Sequence, residues 1–514
     1  MSSVNQLLSA LGRQREARPR ELLAQLGISS QMLSRLVTAA GERVCRMGKG
    51  RATRYALTRS YPGLGTRLAL HQVTESGTLR AFGTLHLLSE GGHWLEREEG
   101  SGRRFEGLPP FAADMSPQGY IGRNFTAHHP ELGLPADPRQ WNDDQRLLAL
   151  ALRGEHCVGD VIIGRDSLNR FLADVPRPVS AQDYPHLART SASGQPGSSA
   201  GGEQPKFTAY AGERHVLVKF ARGADGAAAL RWRELLACEH RALAAVRAAG
   251  FHAASSRVLE GEGYRFLEVE RFDRVGPRGR RAMLSLGAIA DEYFGDRDTW
   301  TLASLRLRQA GFIDEDDARR MRWLDAFGQL IGNTDRHFGN LSFFVEDGGD
   351  FIRDKVKLRL APVYDMLPMV FAPSGAMVVE RTFTPAPPTA DNLDVWSHAA
   401  RCAVAYWRQL VETRELSAEF RERCARGLEA VETLVARSPS LSGASMRGAR
   451  QRPRSPGVTG AGGAPVGGGV GEEGFMSRAR SGGGLSRCEA CSAVTSSTVR
   501  GGGTYASAEN WLAR

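Results

Sequence analysis

The run Gly332-Asn-Thr-Asp-Arg-His-Phe-Gly-Asn340, followed by Tyr364-Asp-Met-Leu-Pro368, decides how this 514-residue chain is read. The first run places a carboxylate, Asp335, five residues before an amide, Asn340. The second supplies another carboxylate, Asp365, about one hairpin later. Phosphoryl transfer needs this set of groups. One carboxylate orients and deprotonates a hydroxyl, while an amide and a second carboxylate hold the Mg²⁺ that bridges the phosphates.

The sequence upstream is consistent with that chemistry. Residues 214–220 read as a β-branched strand carrying Lys219 near its end, where an ammonium can reach ATP phosphates. The pattern then predicts a long helix from Trp232 to Ala249, stopped by Gly250. Glu234 and Glu239 lie on it, and either can hold the lysine in place; spacing alone does not choose between them. A Gly-rich loop, Ser198 to Lys206, contains Gly201 and Gly202 and offers backbone N–H groups to phosphates. It lacks a Gly-x-Gly-x-x-Gly pattern, and Gly/Ser runs are usually linkers. Arg336 can neutralise phosphate charge or make a surface ion pair, with equal weight. His337 can donate to a phosphate, but packing within the loop is the stronger reading, because Asp335 already fills the acid–base role. For any one lysine or glutamate the bland reading of a surface charge wins. The ordered set of five on suitable elements is what carries weight. The same Asp-x-x-x-x-Asn interval followed by a metal-binding Asp occurs in the protein-kinase signature.

Bulk properties set the frame. The length allows about three domains. Apolar content of 41% and charge of 24% are ordinary for a globular chain. No apolar run reaches the roughly 18–20 residues that span a bilayer, and no signal-peptide pattern is visible, so a cytoplasmic location is expected. Seven cysteines, odd in number and mostly scattered, argue against a disulfide framework. Cys488 and Cys491 form a lone C-x-x-C, more simply read as two incidental thiols than as a zinc site. The net charge of +10 is uneven: residues 1–60 hold eleven Lys/Arg against three Glu. A basic end points to a polyanionic partner.

Residues 1–60 read as a winged helix-turn-helix. Helices are expected at Val4–Leu11, Arg20–Leu26 and Gln31–Ala40, with Gly27 as a breaker and Ser29 or Ser30 as a cap. The third helix is the candidate reader of the major groove, through Ser30, Gln31, Ser34 and Arg35. Arg43–Met47 and Thr53–Leu57 alternate like strands around Gly48-Lys49-Gly50-Arg51, giving a wing with basic Lys49 and Arg51 at its tip. Residues 64–185 are mixed, with short strands, a helix at Asp143–Arg153 and Pro-rich loops at 109–117 and 130–138; no catalytic set is visible there. Residues 186–438 hold the chemistry and end in two helices. Residues 439–514, rich in Gly, Ser, Ala and Arg, are expected to be disordered.

These motifs resemble the HipA family, the serine/threonine kinases of bacterial type II toxin–antitoxin modules. The resemblance rests on Ser199-Ala-Gly-Gly-Glu-Gln-Pro-Lys206, Glu268-Val-Glu-Arg-Phe-Asp-Arg274, Gly332–Asn340 and Tyr364–Pro368. It runs from about residue 64 to 438. It implies an α+β fold with a smaller strand-rich lobe and a helical lobe, holding ATP and Mg²⁺ between them. Asp335 would be the catalytic base, and Asn340 and Asp365 the Mg²⁺ ligands. Lys219 would contact the nucleotide, Glu239 would steady it, and Glu268 to Glu270 would face adenine. Ser199 stands where members autophosphorylate, and a dianionic group there would expel the loop from the phosphate site.

The chain departs from the usual arrangement, because it carries its own winged helix where HipA kinases act with a separate antitoxin. It resembles the fused HipA-like subgroup. The expected function is therefore a protein kinase that phosphorylates a protein substrate such as a translation component, and that binds DNA for autoregulation. An antitoxin partner stays open, and a homodimer is the default for a winged helix on a palindrome. Two rivals remain: a transcription regulator with a nucleotide-sensing module, and a small-molecule or lipid kinase.

Overall fold

The computed structural model describes residues 3–192, 204–346 and 356–438. Among the called residues, Ser199, Gly201, Gly202 and the whole 439–514 tail lie outside the described ones.

The first sixty residues form three helices and a hairpin. Ser3 caps the helix Val4–Leu11 and exchanges hydrogen bonds with Gln6 in a capping box. The helix Pro19–Leu26 stops at Gly27, whose φ of 62° is left-handed. Ser29 caps the third helix, Ser30–Ala40, by accepting from the Met32 amide. Strands Val44–Met47 and Arg54–Leu57 then pair antiparallel. Leu7, Leu11, Leu22, Leu33 and Tyr55 close one small core. Cys45, Met47 and Ala56 of the hairpin pack instead against Leu88 and Trp94 of the next segment. The hairpin is thus bonded into the body of the protein.

A five-stranded antiparallel sheet follows, ordered Gly102–Phe105, His93–Glu96, Leu79–Leu87, Arg67–Val73, Val161–Ile163. The expected helix Asp143–Arg153 is present with those bounds and buries Leu147, Leu148 and Leu150. The expected loop at 109–117 is corrected: Pro110–Met115 is a helix, with Pro110 in its first turn, where the missing N–H costs nothing. A second helix, Gly119–His128, follows it.

The next sheet has the order Ser256–Gly261, Tyr264–Glu270, Arg214–Arg222, Lys206–Ala211, Pro178–Val179. Alternation assigns its two faces. Val216, Val218 and Phe220 join Tyr184, Phe207 and Phe266 in an aromatic core on one side. Leu217 and Lys219 take the other side, toward the long helix Ala227–Ala248. The helical half comprises Leu286–Tyr293, Trp300–Ala310, Glu315–Leu330, Leu393–Glu412 and Ala418–Ala436. Its core includes Trp300, Trp323, Trp396, Trp407 and Phe420, all fully buried. A three-stranded sheet, Met283–Ser285, Ser342–Val345 and Leu358–Leu360, has one strand before the 332–340 loop and two strands after it. Among the described residues, no helix is long and apolar enough to cross a membrane.

Candidate active site

The strand Arg214–Arg222 and the helix Ala227–Ala248 bring a buried cation onto a buried carboxylate. Lys219 Nζ lies 2.8 Å from both carboxylate oxygens of Glu239 and also donates to Asp365. Glu234, the other sequence candidate, pairs instead with Arg231 and caps Ser417. Burial pulls the Lys219 ammonium below the usual lysine range; Glu239 opposes this shift and Lys206 adds to it. Lys206 stands directly opposite Lys219 in the sheet register, so it shares the cleft-facing side.

Asp335 and Asn340 are held by the loop after helix Glu315–Leu330. The amide of Asn340 donates to the main-chain carbonyl of Asp335 at 2.9 Å. Asn340 is buried, and its side-chain oxygen has no hydrogen-bond partner. An orphaned buried acceptor is costly unless something else satisfies it. A divalent cation suits that oxygen and the nearby carboxylates, since hard cations take oxygen ligands. Asp365 adopts a left-handed φ of 52°, a conformation an Asp tolerates better than most residues.

Asn333, fully buried, links the two loops. Its oxygen accepts from the Asp335 amide at 3.0 Å, and its Nδ2 donates to the Asp365 carbonyl at 3.4 Å. Tyr364 donates to the Gly339 carbonyl at 2.7 Å. Sequence reading singled out neither Asn333 nor Lys206. Both stand inside the quoted motifs, so proximity to the called residues was the available signal.

Several of the residues expected at the site or the wing tip point elsewhere. Arg336 does not face the cleft carboxylates; it bonds buried Asp325 at 2.9 Å and the Asn333 carbonyl. Glu268 is placed on the opposite face of the sheet from Lys219, because it pairs with Val218. There it accepts from Tyr184 at 2.5 Å and from Arg257 at 2.7 Å. Glu270 lines the cleft edge, while its carboxylate takes Arg214 at 3.1 Å. His337 is half-exposed, with Nδ1 accepting from the Gly339 amide at 3.0 Å, so it braces its own loop. In the N-terminal module Ser30, Gln31, Ser34 and Arg35 are exposed along one helix. Arg51 is exposed too, whereas Lys49 is turned back onto the Glu99 carbonyl.

The buried Lys–Glu pair, the Asp–Asn loop and the following Asp define a kinase-like two-lobed core. Comparison with known proteins agrees. The HipA-like C-terminal domain model matches residues 198–433, and that of the YjjJ-like toxin, middle domain, matches residues 64–172. The chain is 35% identical over 415 residues to Toxin YjjJ of Escherichia coli (strain K12), covering 78% of this chain and 91% of that one. A chain of the HipA, HipB and operator DNA complex of Shewanella oneidensis MR-1 shares the fold. Its TM-score is 0.50 at 16% identity, over 73% of this chain and 99% of that one. The Helicobacter pylori proinflammatory kinase CtkA matches with TM-score 0.34 and 14% identity over 47% and 97% of the two chains. The chain belongs to the HipA family.

Proposed function

We propose that this chain is an ATP- and Mg²⁺-dependent serine/threonine protein kinase of toxin type that also binds DNA through residues 1–60. The observation that carries the enzymatic part is the convergence of Lys219, Glu239 and Asp365 beside a loop whose Asn340 oxygen is buried and unsatisfied. In this reading Lys219 draws the nucleotide phosphates, and Glu239 fixes the lysine's position. Asn340 and Asp365 hold Mg²⁺, which when bound neutralises charge on the transferring phosphoryl group. Asp335 is half-exposed, as a base that must meet an incoming hydroxyl should be, and takes its proton.

Ser199, within the Gly-rich run from Ser198 to Lys206 in the sequence, is the proposed autophosphorylation site. The protein substrate is a component of the translation machinery. The N-terminal module acts as a winged helix-turn-helix, with Ser30, Gln31, Ser34 and Arg35 toward the major groove and Arg51 toward a phosphate; Lys49 joins only if it leaves Glu99. That the Shewanella complex includes operator DNA and HipB supports DNA and antitoxin partners.

Purified protein incubated with γ-labelled ATP and a cell lysate tests the reading. Label in this protein and in a second protein, absent with Asp335→Asn, is expected. Label in a metabolite alone would favour the small-molecule kinase, and no transfer at all would remove the enzymatic claim.

A further inference from the structure

The middle segment does more than bridge the N-terminal module to the kinase-like core: it walls the cleft. The cleft that begins at Lys219, Glu239 and Asp365 continues into a mainly apolar chamber under Leu217, Val269 and Met283. Its remaining side is Met115, Ile121 and Val158, which come from outside the core. In a cleft formed by two lobes alone, this side would open to solvent.

Two separate latches hold this wall in place. Asp114, buried, accepts from the amide and the hydroxyl of Ser285 at 2.7 and 2.6 Å. That fixes the end of helix Pro110–Met115 onto the helical half, at the cap of helix Leu286–Tyr293. Arg274 donates to the carbonyls of His156 and Gly159 at 3.1 Å each, and to Cys157. Arg280 does the same for Glu155. Charge-assisted bonds to buried carbonyls are strong and directional, so the 155–159 turn is set rigidly beside Met283. Gly159, at a φ of 80°, supplies the left-handed backbone that this turn requires.

Resting on the nucleotide reading of the cleft, we infer that the middle segment is part of the nucleotide site. Met115, Ile121 and Val158 contact the purine base, and the base in turn ties the middle segment to the core. The chemistry fits. The phosphate end is charged and the far end is apolar, as an amphiphilic nucleotide with a flat, stackable base requires. The base would add apolar contacts to an interface that also holds the Arg103–Glu292 ion pair and the Arg278 and Arg280 guanidiniums over Phe171.

Equilibrium binding to the full-length chain tests this with two probes: a non-hydrolysable ATP analogue with Mg²⁺, and tripolyphosphate with Mg²⁺, which has no base. Met115→Ala and Ile121→Ala are each expected to weaken the ATP analogue about tenfold, the scale of one lost apolar side-chain contact, and to leave tripolyphosphate within about twofold. Hydrogen exchange on the unmodified chain provides a readout independent of variant folding. The ATP analogue should slow exchange at 110–121 and 155–160, and tripolyphosphate should not. Analogue binding that is equal in wild type and variants, without protection of these strips, would overturn the wall while leaving the kinase reading intact. If neither probe binds the wild type, both fall.

Discussion

Lys219 and Glu239 meet with their ammonium and carboxylate 2.8 Å apart at both oxygens, and both side chains are buried. The pair joins the central strand of the sheet to the helix that crosses it. Breaking it should separate catalysis from folding, because Asp365 still faces the lysine. Glu239→Gln is expected to lower stability by about 1–3 kcal/mol, the cost of a lost buried hydrogen bond. It should lower phosphoryl transfer by about a hundredfold, through misplacement of the lysine. Chemical denaturation and single-turnover kinetics measure the two effects.

Arg336 offers a contrasting case. Its guanidinium holds Asp325, a buried carboxylate that also accepts from Thr301. Arg336→Ala strands that charge, and the expected loss of stability is about 3–5 kcal/mol. Nucleotide affinity of the protein that remains folded should hardly change. A large loss of affinity at unchanged melting temperature would return Arg336 to the phosphates.

Acid should loosen the joint between the middle segment and the core. Burial, then Arg280 and Arg274, pushes the His156 pKa down to about 3; burial and Arg271 push His215 down to about 4. Both histidines are held neutral in the folded chain. A histidine with a lowered folded pKa contributes stability that is fully present above its unfolded value near 6.5. That contribution is lost as pH falls from there toward the folded values. Melting temperature measured between pH 7.5 and 4.5 should fall, and His156→Gln should flatten the fall. An unchanged slope would contradict the assignment.

The DNA reading makes a salt-dependent prediction. Arg51→Ala, at an exposed position assigned to a phosphate, should reduce the slope of log affinity against log salt by about one. Gln31→Ala should instead relax sequence preference by about 1–3 kcal/mol at one base pair. Fluorescence anisotropy on duplexes selected from a random pool reads both. Lys49→Ala should do little, since its ammonium is already on Glu99.

Local chemistry was legible in the sequence and long-range placement was not. The Asp335–Asn340 interval, the lysine strand and the glycine breakers are set within a few residues, and the structure gathers the called carboxylates, amide and lysine near one another. The helix from Ala227 starts five residues before its expected start at Trp232, because Ala227 to Arg231 are strong helix formers. Glu268 shows the opposite limit. Its face follows from pairing with Val218, and its partners Tyr184 and Arg257 come from remote elements. The adenine-facing place that the resemblance implies for Glu268 is overruled by these remote partners. The 110–115 helix and the 155–159 turn are bonded beside the cleft by Ser285, Arg274 and Arg280, more than a hundred residues away. No spacing in the sequence records that.

The central claim is that Lys219, Asp335, Asn340 and Asp365 surround one nucleotide and its cation. Calorimetric titration of a non-hydrolysable ATP analogue, with and without Mg²⁺, tests it most directly. Wild type is predicted to bind at least about tenfold more tightly with Mg²⁺, and Asn340→Ala and Asp365→Asn to lose that difference while still binding. Equal affinity with and without Mg²⁺ in the wild type, or an undiminished Mg²⁺ effect in both variants, would contradict the account.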